Sequence, residues 1–240
     1  MSNQSPTPAV LADQANPFCN GLGMPFVPVP RFQTLVGIWP ARVRDYEVYA
    51  SEQGVAMPAQ APTSAPDHPV VNILWKEAMD FCGWLTARES GAGKLAEGLV
   101  YRLPTDLEWS AAVGLPHEEG TRPDDRSGKL DVYPWGSQWP PPRGAGNYSQ
   151  ELEVDDFEFT SPVGSFAPNE LGIFDLGGNV WEWCLDYTDR SNECRVLRGA
   201  SWFNGYPDRM KSSFRNDLGY PDSRYTSFGF RVVLGRAVAR

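Results

Sequence analysis

Residues able to start a reaction are few in this chain and poorly placed for one. Ser201 sits in GASW, outside any GxSxG context and with no nearby histidine to serve as its base. The four cysteines, Cys19, Cys82, Cys184 and Cys194, stand at scattered spacings without a CxxC pair. Cys82 falls on an apolar helical stripe and reads as a buried thiol. Cys184 and Cys194 are the one pair a hairpin could bring together, against a default of four reduced thiols. The arginines Arg198, Arg215 and Arg231 each lie beside a small or aromatic residue. Five donors on a planar guanidinium suit them to tying loops together through carbonyls and carboxylates, ahead of binding an anion. Trp181, Trp183 and Trp202 read as core ahead of a sugar-stacking platform. Asp175 and Glu182 have an ordinary structural use, capping turns or pairing with Arg198 or Arg215.

These side chains need a frame, and the spacing of apolar residues predicts part of it. Phe26 to Trp39 alternates in the manner of a strand or hairpin. Val43, Tyr46 and Ala50 recur at helical spacing, with Gly54 as a stop. Trp75, Ala78, Met79, Cys82 and Leu85 mark a second helix ending near Gly91. Thr105 and Glu108 form a capping box that predicts a short helix through Trp109 to Ala112. Two short strands are expected to flank Arg195 to Trp202, and Gly229 to Leu234 reads as one closing strand. Residues 1–15 read as a disordered lead-in and 16–240 as one domain. With 23 glycines and 22 prolines among 240 residues, much of the chain is expected in ordered loops.

A formal charge of −9 argues against binding nucleic acid or an anionic membrane surface. From Arg195 onward, nine Lys/Arg face only three Asp/Glu. Either the two parts pair within one domain, or the end of the chain carries a basic-tinged ligand face. No run approaches the roughly 18 apolar residues of a membrane span. The opening MSNQSPTPAVLADQ has neither a basic leader nor an apolar stretch, so a cytoplasmic location is expected.

Four motifs follow in one order: RLPTDLEW (102–109), GSFAPNELGIFDLGGNVWEW (164–183), LRGASW (197–202) and SFGFRVV (227–233). Their order, over roughly Phe18 to Leu234, resembles the sulfatase-modifying-factor family that includes the formylglycine-generating enzymes. The resemblance implies an α+β, C-type-lectin-like fold with two main helices, small antiparallel sheets and many ordered loops. The catalytic members carry two cysteines after the GGSW-like segment, where this chain has Asn204 and Arg209. Thiolate is what a soft copper centre requires, and no cysteine stands between Ser201 and Arg240. Members that use non-haem iron need a histidine cluster, and this chain has only His68 and His117. No copper, no iron and no catalytic residue are therefore expected.

The resemblance implies calcium instead, since hard cations take carboxylates and carbonyls on irregular backbone. One family site matches Asn147, Asp155 and the carbonyls of Tyr148 and Phe157. A second matches Asp175, Glu182 and the carbonyls of Gly178 and Val180.

Three pieces interrupt the family pattern: Phe203, Asn204, Gly205 and Tyr206; Asp217, Leu218, Gly219 and Tyr220; Tyr225, Thr226 and Ser227. This layout resembles the variable proteins of bacterial diversity-generating retroelements, in which adenines of AAY codons are randomised. All eleven residues fall in the set such codons reach, which chance allows about one time in ten. A face rich in Tyr, Ser, Gly and Asn suits recognition of a protein or other macromolecular ligand. A sensor or accessory domain of a signalling or effector system is the next reading. A metal-dependent oxidase is the enzymatic alternative.

Overall fold

The computed structural model describes residues 12–189 and 191–238. Strands β1 (Phe18–Cys19), β2 (Pro25–Pro28) and β3 (Leu35–Gly37) open it as an antiparallel meander. Helices α1 (Val43–Gln53) and α2 (Trp75–Gly91) follow. Next come β4 (Leu99–Arg102), α3 (Asp106–Ala112) and the single turn α4 (Pro123–Arg126). After a long irregular stretch the chain forms β5 (Trp181–Tyr187), β6 (Arg195–Arg198), the turn α5 (Pro207–Met210), β7 (Phe228–Phe230) and β8 (Val233–Arg236). Two sheets result, one of five strands in the order β1-β2-β3-β8-β4 and one of three in the order β6-β5-β7.

Both long helices lie where their periodicity places them. Helix α1 buries Val43, Tyr46 and Ala50 and stops at Gly54, whose φ of 65° is the left-handed value a side chain would resist. On α2 the stripe is Trp75, Ala78, Phe81, Cys82 and Leu85. Phe81 takes the buried place expected of Met79, because its ring meets Tyr46, Tyr49 and Phe230 with centroids 5.4 to 5.8 Å apart. Thr105 and Glu108 close the expected capping box, with Thr105 Oγ1 accepting from Glu108 N at 3.2 Å and Glu108 Oε2 from Thr105 N at 2.9 Å.

The end of the chain departs from its sequence reading in three ways. Strand β6 occupies the start of the Arg195–Trp202 segment instead of flanking it. The expected closing strand is two strands in two sheets, divided at Arg231 and Val232. The break lets Arg231 turn inward to Glu182, while Val232 O accepts from Gly37 N at 2.9 Å. The small sheet is also not wholly antiparallel, because β7 runs parallel to β5. A parallel return needs a long crossover, and residues 188–227, which include β6, supply it. Of the lead-in, residues 1–11 lie outside the described residues, while Asp13 Oδ1 accepts from Asn16 N in a short turn.

Candidate functional site

Beneath the C-terminal loops lies a buried ionic base. Asp106, at the first turn of α3, is fully buried and accepts from three guanidinium groups. Arg198 and Arg215 reach Oδ1, and Arg215 and Arg126 reach Oδ2 at 2.9 Å each. Arg215 also forks onto Glu118 at 2.5 and 2.7 Å. Burial alone pushes the Asp106 carboxyl up, but Arg198, Arg215 and Arg126 outweigh it and bring it down to about 2. A second pair joins Arg231 to Glu182 at 2.7 and 3.0 Å, with Arg231 donating further to the carbonyls of Gly37 and Phe174 at 2.8 Å. Trp109 links the two systems. Its ring lies 4.4 Å under the Arg198 guanidinium, and its Nε1 donates to Glu182 Oε2 at 2.9 Å.

The arginines thus tie loops together as their donor count suggests, but to other partners than expected. Glu182 pairs with Arg231, while Arg198 and Arg215 go to Asp106. Asp106, Glu118 and Arg126 were not singled out by motif or period. Asp106 lies inside RLPTDLEW, so an acid at the start of a capped helix was the available signal.

The three loop pieces follow Arg198 and flank Arg215 along the chain. Phe203 and Tyr206 are 73% and 72% exposed, and Leu218, Tyr220 and Tyr225 are 51%, 48% and 54% exposed. Four of the five exposed aromatic side chains among the described residues belong to these pieces. The backbone under them is pinned. Trp202 N donates to Asn179 O at 3.0 Å, and Trp202 Nε1 to Thr226 O at 3.1 Å. Trp181 N donates to Ser227 O at 2.8 Å, and Arg195 N to Gly219 O at 2.7 Å.

Two residues of the eleven belong to the frame and not to the exposed face. Asn204 is buried, its Oδ1 accepting from Ser201 N at 2.9 Å and Ser201 Oγ at 2.8 Å. Gly219 is buried too, and a methyl group there would collide with the Arg195 carbonyl and the Trp183 ring. Gly205, Thr226 and Ser227 are half-buried, and Asp217 is exposed. Composition alone ranks all eleven alike, because it carries no information on which backbone is crowded.

The family's cysteine positions are taken by Asn204, locked as above, and by exposed Arg209. All four thiols are free. Burial pushes the Cys82, Cys184 and Cys194 thiols up, away from the reactive thiolate form. His68 Nδ1 lies 3.0 Å from Thr160 Oγ1, and burial lowers the imidazole's pKa.

The two oxygen-rich sets differ. In the first, Asn147 Nδ2 donates to Phe159 O at 2.8 Å, which leaves Asn147 Oδ1 buried with no hydrogen-bond partner. Asp155 holds the turn by accepting from Tyr148 N and Phe157 N, each at 2.9 Å, and each carboxylate oxygen keeps a further lone pair. An orphaned buried oxygen beside a carboxylate on irregular backbone fits a hard cation. The second set does not fit. Both oxygens of Glu182 are committed to Arg231 and Trp109. Asp175 stands apart from Glu182's pairing, with Oδ2 accepting from Gly164 N at 2.8 Å.

Two small sheets, two principal helices and long pinned loops define the lectin-like α+β class. The chain belongs to the family described as the sulfatase-modifying factor enzyme 1-like domain, which matches residues 33–236. It is 34% identical to the inactive C-alpha-formylglycine-generating enzyme 2 of Bos taurus over 70% of this chain and 51% of that protein. It is 30% identical to the formylglycine-generating enzyme of Thermomonospora curvata, over 73% of this chain and 58% of that protein. The chain therefore spans about half the length of these curated relatives. Among solved structures, Treponema denticola variable protein 1 shares the fold with a TM-score of 0.60 at 20% identity, covering 83% of this chain and 84% of that one. No helix among the described residues is long and apolar enough to cross a membrane.

Proposed function

We propose that this chain is a non-catalytic recognition domain that presents Phe203, Tyr206, Leu218, Tyr220 and Tyr225 to a protein or other macromolecular ligand. The observation that carries the reading is that four of the five exposed aromatic side chains among the described residues lie on three loop pieces whose backbone is hydrogen-bonded to Trp181, Arg195 and Trp202. Rigid aromatics offer contact area at low entropic cost, and monomeric proteins seldom leave such patches exposed without a use. The same face is open to sequence variation at its exposed positions, while Asn204 stays fixed by its hydrogen bonds to Ser201 and Gly219 by crowding.

A cysteine-containing sulfatase-type peptide should pass through the purified, copper-loaded protein unconverted, because Asn204 and Arg209 stand where the thiols that perform the redox step would be. Mass spectrometry of the peptide checks this, and formation of the aldehyde product would overturn the non-catalytic reading.

In the same reading, calcium bound by Asn147, Asp155 and the carbonyls of Tyr148 and Phe157 braces the loop that receives the recognition face, where Ser149 N donates to Asn204 O at 3.0 Å. A ligand held only by the native state stabilises it by about 2.7 kcal/mol at a hundredfold excess over Kd. Calcium should raise the melting temperature, and Asp155→Asn should remove most of that rise. An identical melt in EDTA and in millimolar calcium would rule the site out.

A further inference from the structure

Asp175 is the one carboxylate of the implied calcium sets that the first site does not use and the arginine base does not pair. It is 8% exposed, with a φ of 56° that fixes its side chain from a left-handed backbone. Gly164 N holds Oδ2, while Oδ1 accepts from no donor among the described residues. Arg231 is the nearby cation, and its donors are spent on Glu182, Gly37 and Phe174. Asp175 lines a cleft of about 340 Å³ whose walls include Pro134, Trp135, Pro142, Phe166 and Leu176. Arg143, also on the wall, is turned to Asp156 at 2.7 and 2.8 Å. Next to the cleft lies the buried hydroxyl of Tyr148, which has no hydrogen-bond partner and against which a side chain on Gly177 would collide.

A nearly buried carboxylate whose nearby cation, Arg231, is hydrogen-bonded to another acid is costly. A cation entering the cleft offsets that cost. Calcium wants six to eight oxygens, whereas these walls are mostly proline, aromatic and aliphatic, and Asn169, the other polar wall residue besides Arg143 and Asp175, is spent on Ala112 O, Leu171 N and Ile173 N. We propose that the cleft binds an alkylammonium group, its charge against Asp175 Oδ1 and its methylene stem along the apolar walls. Long amines bury their stems in this manner, and the volume lies at the small end of the roughly 300–1,000 Å³ range of ligand sites. A lysine side chain and a free alkyl diamine share this chemistry. The inference is independent of the recognition face.

The test is titration of the full chain with Nα-acetyl-lysinamide, its Nε-acetylated form and 1,5-diaminopentane, read at the Trp135 indole N–H by NMR. The proposal expects saturable binding of at least one of the two ammonium probes. Binding of the lysinamide alone identifies a side chain as the occupant, and binding of the diamine identifies a free amine. Nε-acetylation and Asp175→Asn should each weaken binding about tenfold or more, as loss of one partner of a desolvated charge pair does. If Asp175→Asn fails to fold, Ala167→Trp, at an exposed lip position of the cleft, must block binding instead. Absence of saturable binding, equal binding of the Nε-acetylated probe, or displacement of the amine by stoichiometric calcium would overturn it.

Discussion

Asp106→Asn should cost this protein about 3–5 kcal/mol of stability, although it changes a single charge on a side chain that touches no solvent. The substitution keeps the shape of the group and removes the charge that balances Arg198, Arg215 and Arg126. Breaking a buried ion pair on one side costs about 3–5 kcal/mol, because the partner charges stay buried without compensation. Total domain stability is about 5–15 kcal/mol, so the loss takes a large share of it. Chemical denaturation of the variant, or its failure to accumulate as soluble protein, checks the expectation. A midpoint close to the parent's would mean that Glu118 alone neutralises the cluster.

The same carboxylate governs acid sensitivity. Its pKa is about 2 in the folded protein, below the ~3.9 of an unfolded aspartate. A depressed carboxyl contributes stability that is fully present above the unfolded value and is lost as pH falls through the folded one. The protein should therefore hold its base intact through mildly acidic conditions and lose stability between about pH 4 and 2.

Sequence and structure agree most where the determinants are local. Helices α1 and α2, the β2–β3 hairpin and the Thr105–Glu108 box each rest on residues within a few turns of one another. Period and capping chemistry therefore find them. The ionic base is different, because Asp106 meets Arg198 and Arg215 across 92 and 109 residues of chain. No local pattern specifies which arginine meets which acid. The division of the closing strand has a similar cause, since Arg231 interrupts the run Gly229 to Leu234 to pair with Glu182. The three loop pieces were legible as departures from a family pattern. That Asn204 and Gly219 belong to the frame was not, because it depends on how close Ser201 and the Arg195 carbonyl come in three dimensions.

The two kinds of residue in the C-terminal segment should respond oppositely to change. Side chains at Phe203, Tyr206, Leu218 and Tyr220 add little to the core, while Tyr225 rests on the buried Phe228 ring at 4.8 Å between centroids; surface substitutions shift stability by about 0.5 kcal/mol or less. The frame residues Trp202, Arg215, Gly229 and Phe230 hold the loops in place. Phe230 is fully buried against Phe81, and truncating such an aromatic costs about 3–5 kcal/mol. Gly229 leaves no room for a side chain beside the Val70 carbonyl, where an added Cβ would lie 2.8 Å away.

The most direct measurement is a pair of libraries, one randomised at the five exposed loop positions and one at the four frame positions, each scored for soluble, monodisperse protein and for its melting temperature. A rigid frame carrying a replaceable face predicts that most members of the loop library fold with near-parental melting temperatures, while most members of the frame library do not. Loss of folding in the loop library at the rate of the frame library would contradict it, and would make these aromatics part of the core they were held to stand upon.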